Sequence, residues 1–554
     1  LMINGLWLII LLATLLRLWN LGTIPPHLTP DEASLGYNAY SILKTGRDEY
    51  GELFPIIFKS FGNYKPGLYI YLTVPFVALL GLNEFAVRLP SALAGVLAVW
   101  MIYLIVRELF GRGITRKLTR SNAEHLGLVA AFLLAINPWH VLFSRAAWEV
   151  NVALTLTLAG IYFFLRSLRE NKHLILSAIF FALTYVTYQG AKLATTIPII
   201  ILAFVYWKQI LEIDRKVIAK SVIAGLIVSS PIILSIFSGQ AGRLKVYSIF
   251  SYPREETPPR SDISYFLFHS EALNYTRSIL NRWSNHFSGR FLFFEGDWVN
   301  PRHTAPNHGV LLLIDLMLLP IGLIYLVKRK TSKETLFIFL WLILAPLPAI
   351  LSREQISAAR ALNLVVPLVM ISSLGFVGII NWVRRLNRLR VAGYVLIVSI
   401  FSGSLIYFLD SYFIHLPIHN AQDWFYGYKQ AGKKVLSIED NYDRVIFLQS
   451  YDQPYIFFLF YGVETGRSSY QPENYQKMAK LRFGNPYDVG LVDELGKIEF
   501  REFSWPAASK KGDLIVGNDV SIPAYFADFG FKSVDKIIYP DGIKVAFRIV
   551  EKTR

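Results

Sequence analysis

The 554-residue chain has no cysteine. Disulfides, cysteine-ligated metals and thiol chemistry are thereby excluded, although the redox compartment stays open. Charge is also scarce: Asp, Glu, Lys and Arg make up 17% of the residues, against roughly 25% in an average soluble domain. Hydrophobic residues make up 53%, aromatic residues 15%, and mean hydropathy is +0.39. That balance excludes an ordinary soluble enzyme, and equally a disordered or fibrous chain. The sequence has no phosphate-cradling glycine loop, no His-Glu-x-x-His pair and no Ser-His-Asp order, so an ATP-driven mechanism has no motif to rest on. It also has no internal repeats and no low-complexity linker.

Acidic residues are fewer than basic ones, 40 against 56, leaving a net charge of +16. An excess of this size suits either a nucleic-acid partner or membrane topology, and its placement decides. Residues 411–554 carry 18 basic and 18 acidic side chains; residues 1–410 carry the other 38 and 22. The excess therefore sits in the apolar part, which points to topology and away from nucleic acid.

Apolar runs of about membrane-spanning length fill residues 1–410. They are 2–19, 67–83, 89–107, 126–143, 150–166, 173–188, 195–207, 219–237, 308–327, 335–350, 361–382 and 391–409. Basic clusters separate some of them: Arg112, Arg116, Lys117 and Arg120; Arg166, Arg169 and Lys172; Lys208, Arg215, Lys216 and Lys220; Lys328, Arg329, Lys330 and Lys333; Arg384, Arg385, Arg388 and Arg390. The positive-inside rule makes these five loops cytoplasmic. The connections 20–66, 137–149, 188–194, 239–307 and 351–360 then face outward, as does the tail. The first run is followed by no small-residue cleavage site and reads as an uncleaved anchor. One inconsistency follows. With 20–66 outside and 112–120 inside, an odd number of crossings must separate them, yet two apolar runs lie there. The expected fold class is an α-helical multi-span membrane protein with about 11–13 transmembrane helices over 1–410.

Residues 411–554 alternate apolar and polar side chains, as in Arg444–Gln449, Lys497–Phe503 and Asp513–Gly517. A Pro540-Asp541-Gly542 turn between two apolar stretches reads as a hairpin, and 454–462 reads as a helix. This predicts a small α/β extracytoplasmic domain of about 140 residues, large enough for its own core.

Four outward clusters hold candidate chemistry. The first loop contains Thr29-Pro30-Asp31-Glu32, then Gly46-Arg47-Asp48-Glu49-Tyr50-Gly51, then Asn63-Tyr64-Lys65-Pro66. An acidic pair at the mouth of a membrane helix is expensive to bury. Either Asp31 caps a helix beginning at Glu32, or the pair is catalytic. Lys65, with Tyr64 beside it, is either an interfacial lysine with its stem on apolar surface or a phosphate contact. The second cluster is Asn137-Pro138-Trp139-His140, continuing to Arg145 and Glu149. A helix break with polar side chains at membrane depth is tolerated where it lines a cavity. Taken singly, His140 reads as a structural histidine and Arg145 with Glu149 as an i,i+4 pair; taken together they are candidate substrate contacts. The third cluster supplies Asp297, Asn300, Arg302 and His303 as further candidates. Asp297 and His303 could ligate a metal, but their spacing matches no specific metal motif. The fourth supplies Arg353 and Arg360, whose guanidinium geometry suits a lipid phosphate.

Four stretches carry a family likeness: Pro30-Asp31-Glu32; Tyr64-Lys65-Pro66-Gly67-Leu68; Asn83-Glu84-Phe85-Ala86-Val87-Arg88-Leu89-Pro90-Ser91-Ala92-Leu93; and Asn137-Pro138 leading to Ser144-Arg145. In these the chain resembles the multi-span glycosyltransferases of the GT-C fold, specifically the bacterial branch related to protein O-mannosyltransferases and the lipid A aminoarabinose transferase. The likeness covers residues 1–200 well and extends more loosely to 410; the tail carries none. It implies an inverting transferase of the cell membrane with its site on the extracytoplasmic face. It implies a sugar donor on a polyprenyl phosphate and a protein, lipid or glycan acceptor. It gives Asp31 the role of general base, with Glu32 orienting it or the acceptor, and sets Lys65 at the donor phosphate. A lipid phosphate met by Lys and Arg calls for no cofactor and indicates no divalent cation. One departure is Gly67, where relatives often carry a second proline. The rival readings are an O-antigen ligase or polymerase, whose chemistry would rest on outward Arg and His, and a lipid-sugar transporter or flippase, which would show inverted repeats. A sensor or scaffold with a partner-binding tail leaves the acidic pair unexplained.

Overall fold

A computed structural model describes residues 2–61, 63–111, 120–237, 261–328, 332–352, 354–449, 453–482, 491–502 and 504–553. Arg353 lies outside the described residues, as do Arg112, Arg116, Lys117, Arg329 and Lys330 of the basic loops and 238–260 of the long outward loop. The chain divides into two compact units. One comprises Leu1–Trp19, Ser91–Ser144 and Trp148–Tyr412; the other comprises Asn20–Pro90, Arg145–Ala147 and Phe413–Arg554. The loop that carries the acidic pair thus belongs to the same unit as the tail.

The first unit is helical. Across the chain, six described helices are long and apolar enough to cross a membrane: Glu84–Phe110, Glu149–Ser167, Arg215–Ser235, Lys333–Ile350, Leu362–Val383 and Asn387–His419. A seventh crossing is available if Asn122–Ile136 and Pro138–Ser144, which meet at 60°, form one broken span. Other apolar runs of the sequence are helices too, but shorter: Gly5–Leu18, His173–Tyr185, Ala191–Val205 and Asp315–Val327. An apolar run records composition, whereas helix length is set by where the hydrogen-bond ladder stops.

The 60° break has a local cause. Pro138 has no N–H to continue the ladder, and the Asn137 side chain instead accepts the His140 N–H at 3.0 Å. The carbonyls left at the end of the first segment are met by Arg17. Its guanidinium donates to Leu134 O at 3.3 Å, to Ala135 O at 2.9 Å and to His140 Nδ1 at 2.7 Å. Backbone polar groups at membrane depth must find such partners inside the protein.

Helices Asp315–Val327 and Val365–Val383 approach closely through glycine. A Cβ on Gly322 would lie 2.0 Å from Ile371 O, and one on Gly375 would lie 1.9 Å from Leu318 O. Small residues that let backbones touch are how membrane helices gain packing energy.

The second unit contains helix Pro30–Thr45, an antiparallel hairpin of β1 (Ile57–Ser60) and β2 (Asn63–Pro66), and helix Leu68–Leu80. Thirteen residues at 1.5 Å each give roughly 20 Å, short of a hydrocarbon core of roughly 30 Å. Among the described residues between 66 and 112, Glu84–Phe110 alone is long and apolar enough to cross a membrane, which gives the odd number of crossings that the sequence pattern requires.

The tail is an α/β domain. Its strands are β3 (Val445–Gln449), β4 (Ala479–Arg482), β5 (Leu491–Leu495), β6 (Ile498–Glu502), β7 (Leu514–Gly517), β8 (Phe531–Ile538) and β9 (Val545–Lys552). They form one sheet in the order β4-β5-β6-β3-β7-β9-β8. The central strand β3 runs parallel to β6 and β7, and the outer pairs are antiparallel. The Pro540-Asp541-Gly542 turn joins β8 to β9: Gly542 adopts φ +73°, and the Asp541 carboxylate accepts the N–H of Ile543 and Lys544. Helix Tyr455–Glu464 is buried along most of its length.

Replacing Gly375 with Val should force the two helices apart and cost about 1–3 kcal/mol or more. Thermal unfolding of the detergent-solubilised protein would show it; an unchanged melting temperature would reject the close approach.

Candidate active site

The site is built from the start of helix Pro30–Thr45. Thr29, not Asp31, is its cap. The Thr29 side chain accepts the Glu32 N–H at 3.2 Å, and the Glu32 carboxylate accepts the Thr29 N–H at 2.9 Å. This is a reciprocal capping box, with Pro30 at the first helical position where a missing N–H costs nothing. The reading of Asp31 as the cap is therefore corrected. The threonine hydroxyl has taken that role.

Glu32 is held by three hydrogen bonds. One carboxylate oxygen accepts from Arg88 Nε at 3.0 Å and from the Ala147 N–H at 2.9 Å; the other accepts from Thr29. Both members of the Glu32–Arg88 pair are buried. The remaining guanidinium nitrogens of Arg88 donate to the carbonyls of Leu21 (3.0 Å), Pro25 (2.9 Å) and His27 (2.6 Å). A buried charge is tolerable when it is paired and hydrogen-bonded, and here the carboxylate accepts three hydrogen bonds and the guanidinium donates four. The pair ties the loop before the helix to the helix start.

Lys65 arrives on the β1–β2 hairpin, opposite Phe58. Its ammonium lies 3.4 Å from Asp31 Oδ1, and the two side chains differ sharply in exposure, 11% for Lys65 and 64% for Asp31. Gly67 follows the hairpin, after Pro66. Its N–H donates to Ile56 O at 2.8 Å, a bond that proline cannot make, and a Cβ there would meet the Phe58 ring at 2.2 Å. The glycine thus closes the base of the hairpin, which is a physical reason for the departure from a second proline.

Three more charged or polar groups pack into this unit. The Glu84 carboxylate accepts from Lys429 at 2.5 Å and from the Tyr461 hydroxyl at 3.3 Å. His27 Nε2 accepts the Lys429 N–H at 2.8 Å, and burial pushes the His27 imidazole down to about 4. Glu49 is also buried.

The other sequence candidates are placed as follows. Tyr64 sits on β2 opposite Lys59. Arg145 is buried, donates to Ile24 O at 3.1 Å and lies over the Phe413 ring at 4.8 Å. These two belong to the unit that holds Asp31. His140, Glu149, Asp297, Asn300, Arg302, His303 and Arg360 belong to the other. His140 is buried against Arg17, as already described. Glu149 opens helix Glu149–Ser167. Asp297 is buried and accepts the N–H groups of Val299, Asn300 and Ala358, and it lies 2.9 Å from His303 Nδ1. His303 packs edge-on against Trp148 at 5.2 Å. Asn300 precedes the short turn Pro301–His303, which contains Arg302. Arg360 pairs with Glu354 at 2.7 Å and with the Ser352 hydroxyl at 2.9 Å. Among the described residues, no three His, Asp or Glu side chains converge as a metal site.

Sequence reasoning passed over Arg88, Glu84 and Glu49 as site residues. For Arg88 a signal existed: an arginine near the start of a long apolar run needs a buried partner.

Residues 64–234 match the family model described as dolichyl-phosphate-mannose-protein mannosyltransferase. That segment includes Lys65 and stops short of Asp31. No curated protein matches the chain. Among solved structures, ArnT from Cupriavidus metallidurans bound to undecaprenyl phosphate is similar with a TM-score of 0.54 and 12% identity, over 99% of this chain and 98% of that one. Its apo state gives 0.50 at 12% identity and the same coverage. The archaeal oligosaccharyltransferase AglB from Archaeoglobus fulgidus, in complex with an inhibitory peptide and a dolichol-phosphate, gives 0.49 at 13% identity, over 82% of this chain and 63% of that one. The fold is GT-C, mostly helical with a C-terminal sheet domain.

Replacing Arg88 with Met would strand the buried Glu32 carboxylate and should cost about 3–5 kcal/mol. A variant that melts like the wild type would show that the pair does not hold the loop.

Proposed function

We propose that this chain, a protein O-mannosyltransferase- and ArnT-like membrane glycosyltransferase of the GT-C fold, moves a sugar from a polyprenyl-phosphate donor to an acceptor hydroxyl or phosphate with inversion. One observation carries the reading: an exposed carboxylate, Asp31, held 3.4 Å from the buried ammonium of Lys65. Asp31 takes the proton of the acceptor hydroxyl. The acceptor oxygen bonds to the anomeric carbon as the bond from that carbon to the phosphate oxygen breaks. Polyprenyl phosphate leaves, and Lys65 meets the charge that develops on it. The transition state is oxocarbenium-like, by analogy with glycoside hydrolysis, and a single carboxylate suffices because the phosphate needs no protonation.

The carrier is assigned from the undecaprenyl phosphate bound to the structurally similar ArnT. The extracytoplasmic face is assigned from the basic loops, which are read as cytoplasmic. The acceptor is a protein, lipid or glycan group. Glu32, paired with Arg88 and bonded to the Ala147 and Thr29 N–H groups, positions Asp31. The scheme calls for no cofactor.

General base catalysis is worth roughly 10²–10⁴-fold, so Asp31→Asn should lower turnover by at least about a hundredfold. Its side chain is exposed, so the variant should fold and insert normally. Mass spectrometry of envelope glycans and glycoproteins from strains carrying each form would reveal the missing sugar and its acceptor. Near wild-type transfer by the variant would reject the assignment. Lys65→Ala should lower kcat and kcat/KM for the donor, because it removes the cation that meets the developing charge; an unchanged rate and donor affinity in a reconstituted transfer assay would leave Lys65 as an interfacial anchor only.

A further inference from the structure

The tail grips the segment that carries Asp31 on both sides of that residue, and all the groups involved belong to one unit. Before Asp31 lies His27, whose imidazole is buried. Its Nδ1 lies 2.6 Å from Leu28 O, a contact that requires the ring proton on Nδ1. Nε2 is then an acceptor, and it takes the Lys429 N–H at 2.8 Å. Lys429 belongs to helix Tyr428–Ile438 of the tail. Its ammonium pairs with Glu84, and the Tyr461 hydroxyl donates to the same carboxylate oxygen. Rings complete the seat: the imidazole meets Phe457 edge-on at 5.1 Å and Tyr461 at 5.9 Å. The His27 carbonyl is in turn one of the three that Arg88 holds.

After Asp31 the grip is made by packing. A Cβ on Gly36 would lie 2.5 Å from Val87 Cγ2 and 2.7 Å from the Phe460 ring, so helix Pro30–Thr45 lies against tail helix Tyr455–Glu464 with no room for a side chain at that point. The Tyr37 hydroxyl donates to Tyr470 O at 3.2 Å, and the Tyr40 hydroxyl donates to Gln471 Oε1 at 2.7 Å. The transfer scheme uses none of these contacts.

We infer that the tail is a positioning element of the transfer site: by holding His27 and the body of helix Pro30–Thr45, it fixes where the Asp31 carboxylate stands. The inference rests on the reading of Asp31 as the general base. A reacting group displaced by about 1 Å can lose on the order of a hundredfold in rate. Lys65 stands apart on the β1–β2 hairpin, so a slackened grip on the helix falls on the proton transfer and leaves the phosphate contact in place.

The test is a double-mutant cycle on the purified full chain in detergent, with turnover counted per undecaprenyl phosphate binding site so that any misfolded fraction drops out. His27→Phe keeps a ring in the seat and removes the acceptor for the Lys429 N–H. It should lower kcat on the order of tenfold and leave the Kd of undecaprenyl phosphate unchanged. His27→Gln offers an amide oxygen to the same N–H and should restore most of the loss. Both variants lose the contact to Leu28 O, so the difference between them isolates Nε2. In an Asp31→Asn background His27→Phe should cost nothing further, because the two act through one group. A wild-type kcat in His27→Phe, an equal loss of lipid affinity, or a loss that multiplies with that of Asp31→Asn would each overturn the inference. Should His27→Phe fail to fold, Tyr40→Phe removes one hydrogen bond at a partly buried position. Its kcat should fall about threefold, on the scale of one such bond, and a full rate there would overturn the inference as well. If Asp31→Asn by itself turns over like the wild type, the reading of Asp31 as the base fails, a result distinct from a full rate in His27→Phe alone.

Discussion

The placement of Asp31 depends on one buried ion pair, Arg88 with Glu32. The pair is costly to form, because two charges leave water. The cost is offset by geometry: the guanidinium also satisfies three loop carbonyls, and the carboxylate also accepts two backbone N–H groups. Once Glu32 is held inward, the helix decides the rest. Successive side chains on a helix are about 100° apart, so the residue before Glu32 must point elsewhere. That residue is Asp31, and it points to solvent.

Lys65 is held by a different logic. The two-stranded hairpin places it opposite Phe58, and Gly67 closes the base of the hairpin with a backbone hydrogen bond. The outcome is an exposed acid beside a buried cation. This asymmetry suits the proposed division of labour. A base must be reached by the acceptor that gives it a proton, whereas a cation that meets developing charge acts more strongly where water is excluded.

The helical unit solves its own polar problem in a similar way. Its first helix carries Arg17 to the break between Asn122–Ile136 and Pro138–Ser144, where the guanidinium meets the freed carbonyls. Asp315, buried in another helix, accepts from the Ser372 hydroxyl at 2.6 Å. In each case a polar group at an apolar depth has a partner supplied by a distant part of the chain.

Much was legible in the sequence by itself. The apolar runs, the basic loops and the lack of charge established a multi-span membrane protein. The short apolar segments located β3, β6 and β7, and the Pro540-Asp541-Gly542 turn located the β8–β9 hairpin; β6 alternates in burial, whereas β3 and β7 are buried at each described position, as suits strands covered on both faces. The acidic pair and Lys65 stood out as chemistry in an apolar chain. Local pattern ran out at three points. It left open whether Asp31 was a cap, because the answer lay in a box between Thr29 and Glu32 whose carboxylate is fixed by an arginine 56 residues away. It counted 67–83 as a span, because composition does not report where a helix ends. It passed over Glu49, whose burial is a property of the folded unit and not of its sequence neighbours. The sequence determined which residue types were present and which segments were apolar. The tertiary structure alone decided which of two adjacent acids is spent on a buried ion pair and which stays exposed beside Lys65, because burial and pairing are set by residues that meet only after folding.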